Sequence, residues 1–266
     1  MQEVLRLKLS IVCVYNNQEI LNDYLLKSVQ MQKDVEYELL LVDNTKNKYE
    51  SAAKALNVAG DQATGDYIIF VHQDIMFTSP NSLKSIESYL TNENKIFGVA
   101  GRKDSQGVIT NITHGHDHRL AGSIQITKPV KVQTLDECLI IIPRNVFQKL
   151  KFDETVVDGW HLYAVEYCLS AKKLGIEPYV IPANDVYHLS PGFSMNDSYY
   201  KILRKVARKH REYEVIYTTI GIWPTKSIKL NSYLVAIKTK RLLKNLLENF
   251  RKHVMKARYV HNGLKK

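Results

Sequence analysis

The chain has 266 residues and a net charge of +10, long enough to bury a full core without a disulfide or metal staple. Its cysteines, Cys13, Cys138 and Cys168, are odd in number and far apart with no C-x-x-C spacing, which argues against cysteine-held zinc and predicts reduced, buried thiols in a cytosolic protein. Met1-Gln2-Glu3-Val4 lacks a charged lead and an apolar h-region, and no window nears the roughly 18 continuous apolar residues of a membrane span, so neither export nor membrane crossing is expected.

The charge is uneven. Beyond residue 199 there are 18 Lys/Arg against three acids, Glu212, Glu214 and Glu248, which leaves 19 basic and 24 acidic residues in the rest. The body is therefore slightly acidic and the last quarter strongly basic. That asymmetry suits an attachment segment and argues against nucleic-acid binding by the whole protein.

Residues 9–15 (LSIVCVY) form a continuous apolar run of strand type, and a helical pattern follows through Leu21, Leu25, Leu26 and Val29. A second strand at 38–42 ends in Asp43-Asn44-Thr45. A helix over about 49–57 leads to a third strand, 67–71 (YIIFV), which stops on His72-Gln73-Asp74. Buried, non-alternating strands interleaved with helices predict a doubly wound, mostly parallel sheet, and right-handed crossovers bring the C-terminal ends of the three strands to one edge. Tyr15 to Asn17, Asp43 and Asp74 then gather where α/β folds place their chemistry, and Asp74 is the leading functional candidate.

A helix over 82–90 precedes a strand at 97–101 and a long polar stretch from Arg102 to Gly122, expected to be a mobile lid. Within it, His114, His116 and His118 imitate a metal cluster without the fixed framework such a site needs. Further on, the pattern predicts a strong strand at 138–143, helices at 145–150 and 161–174, a short strand at 177–182 and a turn at 188–192. A basic helix at 198–211 comes next. The last predicted element is a basic amphipathic helix over 232–258, with Leu243, Leu246, Leu247, Phe250 and Val254 on one face. That helix can lie on an anionic membrane surface, pack on the body or form a homo-oligomer. With no aromatic single-strand platform and no recognised motif, nucleic acid is not an expected partner.

Residues 10–17 (SIVCVYNN), 38–44 (ELLLVDN), 55–74 (ALNVAGDQATGDYIIFVHQD), 138–147 (CLIIIPRNVF), 152–154 (FDE), 163–169 (YAVEYCL) with Gly175, and 186–188 (VYH) occur in an order that resembles family 2 glycosyltransferases with the A-type fold. The resemblance covers roughly residues 9–195. It implies a catalytic domain over 1–199, with a donor half to about 101 and an acceptor half beyond, and leaves 200–266 as a basic helical tail. It implies that Val14, Tyr15, Asn16, Asp43 and Asn44 hold the nucleotide of a nucleoside-diphosphate sugar, with His72 and Gln73 beside its diphosphate. Asp74 and His188 would coordinate Mn2+ or Mg2+.

The departures from the family pattern are equally specific. His72 stands where the first acid of Asp-X-Asp is usual, Leu56 where an arginine is usual, and Tyr163-Ala164 where a Glu-Asp pair supplies the base. The remaining acids nearby are Asp158, a base facing the acceptor or a helix N-cap, and Glu166, orienting or structural with a base as the lesser option. Trp160 and His161 are candidates for acceptor contact. His72 itself can ligate metal, donate to diphosphate or only shape its loop.

The implied function is a metal-dependent, inverting transfer from a nucleotide sugar, a UDP-sugar first, to a glycan, lipid-linked or glycoprotein acceptor in bacterial surface synthesis, from the cytoplasmic side with peripheral membrane attachment. Its alternatives are a dTDP-rhamnose-using rhamnosyltransferase and a catalytically degraded subunit that binds or scaffolds.

Overall fold

A computed structural model describes residues 7–90, 94–190 and 195–240, with Leu243 and Leu247. The chain opens with β1 (Lys8–Tyr15), whose apolar side chains alternate between two cores: Leu9, Ile11 and Cys13 face one and Val12 the other. Asn17 caps the helical segment that follows by accepting from the Ile20 N–H at 3.0 Å. That segment runs through α1 (Gln18–Ile20), a π-helical stretch (Leu21–Leu26) and α2 (Lys27–Gln30), burying Leu21, Leu25 and Val29. The sequence continues with β2 (Glu36–Asp43), α3 (Ala52–Gly60), β3 (Tyr67–Val71), β4 (Ile75–Phe77) and α4 (Ser82–Glu87).

The single strand expected at 97–101 is two, β5 (Lys95–Gly98) and β6 (Ala100–Arg102), in different sheets. Nor is the stretch from 102 to 122 an open lid. It carries β7 (Val108–Thr110), β8 (Thr113–His114) and β9 (Arg119–Leu120), all paired. Short strands β10 (Val130–Lys131) and β11 (Thr134–Leu135) lead to β12 (Leu139–Pro143) and α5 (Arg144–Lys149). Beyond them come α6 (Tyr163–Lys173), β13 (Glu177–Val180), β14 (Val186–His188) and α7 (Asp197–Lys209). A hairpin of β15 (Val215–Tyr217) and β16 (Ile222–Pro224) ends the strands, and residues 227–240 are helical.

Seven strands form the central sheet in the order β10-β13-β5-β12-β3-β1-β2. β1 pairs parallel with β2 and β3, and β13 with β5, whereas β12 runs antiparallel to both β3 and β5. The sheet is α/β and doubly wound as expected, but its centre is mixed. The reversed strand matters: Leu139 of β12 pairs with Val71 of β3, so the residues just before β12 lie beside those just after β3.

The chain beyond residue 199 does not separate from the body. α7 buries Tyr199, Ile202, Leu203, Val206 and Ala207, a stripe with helical spacing, in the same core as Trp223, Leu230 and Leu234. Gln133 accepts from the Tyr217 N–H at 2.7 Å and donates to the Val215 carbonyl at 3.0 Å, tying the hairpin to the segment before β11. The structured body therefore extends at least through Leu234, past the boundary expected at 199. Leu246, Phe250 and Val254 of the amphipathic face lie outside the described residues, as do Pro191 and Gly192 of the expected turn. The three cysteines are buried and free.

One clamp fixes where β3 begins. The Glu38 carboxylate accepts from Ser10 Oγ (2.6 Å), from the Thr64 N–H and hydroxyl (2.7 and 2.8 Å) and from the Gly65 N–H (3.2 Å). A Cβ on Gly65 would lie 2.7 Å from the Lys8 carbonyl oxygen, so only glycine lets the two backbones approach. Burial pushes the Glu38 carboxyl up, but the bonds from Ser10 and Thr64 and the Lys8 ammonium outweigh it and hold the pKa at about 2. A depressed folded pKa stabilises the protein fully above the unfolded value near 4.5, and the gain is lost as pH falls toward 2. Glu38→Gln should therefore cost about 2 kcal/mol in urea unfolding at pH 7 and clearly less at pH 3. An equal loss at both pH values would contradict this account of the clamp.

Candidate active site

The ends of β1 and β3, the loop after β2 and the loop before α6 enclose a cleft of about 630 Å3. Val14, Tyr15, Asn16, Asn44, Asn47, His72, Gln73, Asp74, Glu137, Trp160, His161 and Ser190 line it. Gln73 joins two of the loops: its Oε1 accepts from the Asn16 and Asn17 N–H groups, both at 3.0 Å, and its Nε2 donates to Asn16 Oδ1 at 2.8 Å. Gln73 thus shapes the cleft rather than offering a free amide. Asn44 is also committed, since its side chain bonds both the N–H and the carbonyl of Tyr49 across the loop.

Asp43 lies outside the lining set, exposed at the end of β2 and paired in register with Tyr15. Its carboxylate accepts from the Thr45 hydroxyl (2.7 Å) and N–H (2.8 Å), and these bonds keep its pKa below the ordinary range.

β4 starts directly after Asp74 and pairs antiparallel with β14, setting His188 opposite Ile75. The Leu189 N–H donates to the Asp74 carbonyl (3.0 Å) and the Ser190 N–H to its Oδ2 (3.2 Å). Among the described residues, His72, Asp74 and His188 form a group whose ligand atoms all lie within 4.8 Å of one another. Burial alone would push Asp74 up, yet His188 and His72 outweigh it and lower its pKa. Burial lowers that of His72, and His188 adds to the effect. For His188 burial is overcome by Asp74 and the pKa rises. An anionic carboxylate between two imidazoles is a donor set for a divalent cation.

The fit has a second support: Nε2 of His188 is buried 3.3 Å from Oδ1 of Asp74 with no hydrogen-bond partner, so it has no competing contact to give up to a cation. These three side chains can therefore hold the metal that the resemblance implies. Two nitrogen ligands favour Mn2+ over Mg2+, which prefers an all-oxygen shell.

Tyr163 then acquires a different meaning from a lost carboxylate. Its hydroxyl donates to the Glu137 carbonyl at 3.0 Å, and a carbonyl can only accept, so the single hydroxyl proton is committed. The contact between Tyr163 Oη and His72 Nε2 at 2.9 Å must then be donation from the ring N–H. Neutral His72 is held as the Nε2–H tautomer, which leaves the Nδ1 lone pair as its ligand atom. This is the outer-shell orientation found for metal-ligating histidines.

The two acids named as base are placed differently. Asp158 is paired with Lys201 and Lys205 of α7, each at 2.9 Å, and does not line the cleft. Those lysines hold its pKa down. Glu166 is buried in the first turn of α6 with Lys209 at 2.5 Å, Ser170 Oγ at 2.6 Å and His210 Nε2 at 3.3 Å, and it also lies off the cleft. Its surroundings make it an anchor for α7. Neither meets the requirement of reaching an acceptor hydroxyl in this cleft.

Trp160 and His161 do line it, and Trp160 is 41% exposed, leaving an indole face open to a sugar ring. Leu56 is buried in α3 and supplies no phosphate contact. His118 stacks on Tyr187 with centroids 4.3 Å apart, and His114 sits beside His188 in the β8–β14 ladder, so His114 belongs to a small sheet and His116 and His118 to the turn that joins β8 to β9. Missed by sequence reasoning was Glu137, which lines the cleft with Oε1 buried and without a hydrogen-bond partner.

Comparison with known proteins agrees with this geometry. A family model described as "Glycosyltransferase like family" matches residues 9–210, and the chain belongs to that family. The fold is the A-type glycosyltransferase fold. It is similar to GalNAc-T7 bound to UDP, GalNAc and Mn2+ (14% identity, TM-score 0.56, 76% of this chain and 49% of that one). It is also similar to S. aureus TarS 1-349 bound to UDP-GlcNAc (17%, 0.54, 75% and 65%). A third neighbour is the mannosyltransferase PcManGT from Pyrobaculum calidifontis with GDP-Man and Mn2+ (12%, 0.50, 78% and 63%). One curated relative, "ATP synthase subunits region ORF 6" of Fuscovulum blasticum, is 26% identical over 162 residues, 56% of this chain and 61% of that protein. The chain thus spans about half to two thirds of the length of these proteins. No described helix is long and apolar enough to cross a membrane.

The tautomer argument makes a measurable prediction. Tyr163→Phe removes the acceptor for the His72 N–H while keeping the ring in the core, and Mn2+ affinity by isothermal titration should fall about tenfold or more. Unchanged affinity would show that Tyr163 does not orient His72.

Proposed function

We propose that this protein transfers a sugar from a nucleoside-diphosphate sugar to a hydroxyl of a glycan, lipid-linked or glycoprotein acceptor, with inversion at the anomeric carbon and with a divalent cation as cofactor. The observation that carries the reading is the convergence of His72, Asp74 and His188 on a cleft bordered by the ends of β1 and β3. Val14, Tyr15 and Asn16 at the end of β1, with Asp43 at the rim, would take the base and ribose. The diphosphate would lie against the triad, and the exposed Trp160 with His161 would face the acceptor. Bound there, the cation supplies positive charge to the diphosphate as it leaves.

The identity of the neighbours' ligands supports a UDP-sugar first, since GalNAc-T7 carries UDP and TarS carries UDP-GlcNAc. Mn2+ is the preferred cation on the two imidazoles. The basic C-terminal segment suits peripheral attachment to an anionic inner membrane surface in bacterial surface glycan or glycoprotein synthesis.

A thermal-shift screen of UDP-, GDP- and dTDP-sugars with and without Mn2+ tests the reading, because a ligand at 100 times its Kd stabilises the native state by about 2.7 kcal/mol. One nucleotide class should stabilise the wild type, more with Mn2+ than without, and Asp74→Ala should abolish the Mn2+-dependent part. No stabilisation by any class, or an undiminished Mn2+ effect in Asp74→Ala, would overturn it.

A further inference from the structure

Sugar transfer with inversion requires a base at the acceptor, and the positions where the family pattern places one are held by Tyr163 and Ala164. With Asp158 and Glu166 both off the cleft, the carboxylate must come from elsewhere. Among the described residues the cleft is lined by two acids, Asp74 and Glu137, and Asp74 belongs to the metal triad. Glu137 arrives from an unrelated part of the chain, immediately before β12.

Its position is built rather than incidental. Leu162 adopts a left-handed conformation (φ 63°, ψ 16°), unfavourable for a residue with a branched side chain, just before α6 begins in right-handed geometry. A left-handed residue followed by a right-handed one turns successive N–H groups toward a common point, which makes an anion cradle. The N–H groups of Leu162 and Tyr163 lie on the Glu137 side and lower its pKa, which sets the carboxyl against the cradle at the N-terminus of α6. Glu137 therefore fills, in space, the start of the helix on which the family pattern carries its acids. Within that setting the Glu137 Oε1 is buried with no hydrogen-bond partner.

We propose that Glu137 is the catalytic base of the transfer, its unpartnered oxygen receiving the proton of the acceptor hydroxyl; this rests on the transferase reading above. In the step, the acceptor O–H proton passes to the Glu137 carboxylate. The oxygen lone pair so released forms the bond to the anomeric carbon. The bond from that carbon to the β-phosphate oxygen breaks, and its electron pair leaves with the nucleoside diphosphate. Burial, with Asp136 next in line, raises the Glu137 pKa well above the ordinary carboxylate value. The Tyr163 side chain couples this residue to the triad, since it bonds the Glu137 carbonyl and His72 together.

The test uses the full chain, Mn2+ and the same panel of UDP-, GDP- and dTDP-sugars, with water as acceptor. Release of nucleoside diphosphate and the donor-induced rise in Tm are read together. Glu137→Gln keeps the size and an acceptor oxygen but cannot take up a proton. It should lose about 100-fold or more in release rate while the donor-induced rise in Tm stays as in the wild type. Glu137→Asp, which withdraws the carboxyl by one methylene, should fall between the two. Release by Glu137→Gln within about threefold of the wild type would overturn the assignment and leave the transferase reading standing. Loss of the donor-induced shift in both variants would also overturn it, by making Glu137 a structural residue. A wild type with neither shift nor release would remove the transferase reading, and the base with it.

Discussion

β3 has no free edge and no free face. β1 pairs with one side, β12 with the other, and all five of its residues are buried between two cores. Polar groups can appear only where such a strand stops, and there its neighbours fix their directions. Val71 ends the face toward one core, so His72 points to the other, where Tyr163 at the start of α6 receives it. Asp74, two residues on, is caught at the start of the β4–β14 pairing and brought to His188. The triad is thus a consequence of strand register, and the clamp of Glu38 on Ser10, Thr64 and Gly65 holds that register from the far end.

The departures from the family pattern become one arrangement when placed in space. A histidine at the first position of the metal motif needs an acceptor for its second ring nitrogen, and a carboxylate at 163 would have pulled that imidazole toward the charged form. A tyrosine there accepts the N–H and donates its own O–H to the Glu137 carbonyl, leaving His72 neutral and able to ligate. On the proposed reading the charge missing from 163 and 164 returns through Glu137 on the neighbouring chain segment. His72, Tyr163 and Glu137 therefore constrain one another, and the site is better described as rebuilt than as degraded.

Much of this was legible in the sequence because the relevant signals are local. Strands give themselves away by unbroken apolar runs, and β1, β2, β3 and β12 fall where those runs lie, although β2 is a half-exposed edge strand. Asp74 follows one such strand, whereas His188 was implied only by the resemblance and ends the short β14, where a turn was expected. The paired departures at His72 and Tyr163 were visible as letters, but their contact spans 91 residues of chain and has no local trace. Glu137 was missed for a topological reason. Had every strand been parallel, residues before β12 would sit at the edge opposite the cleft. Because β12 is reversed, they lie beside the end of β3, and strand direction is not written in the apolar pattern.

The basic C-terminal quarter misled for a related reason. Charge counts suggested a basic attachment segment outside the catalytic domain, while α7 and the following hairpin bury a stripe of tyrosine, leucine and tryptophan that composition averages away. Asp158 and Glu166 belong to the same error. They are the anionic partners of Lys201, Lys205 and Lys209, and they hold the basic helix to the body.

The central claim is that two imidazoles and one carboxylate hold a divalent cation against the donor. It is tested most directly by electron spin-echo modulation of Mn2+ bound to the full chain with UDP. The account predicts nitrogen-14 modulation from two imidazoles, reduced to one in His72→Gln and in His188→Gln. Bound Mn2+ without nitrogen coupling, or coupling unchanged in both variants, would contradict it.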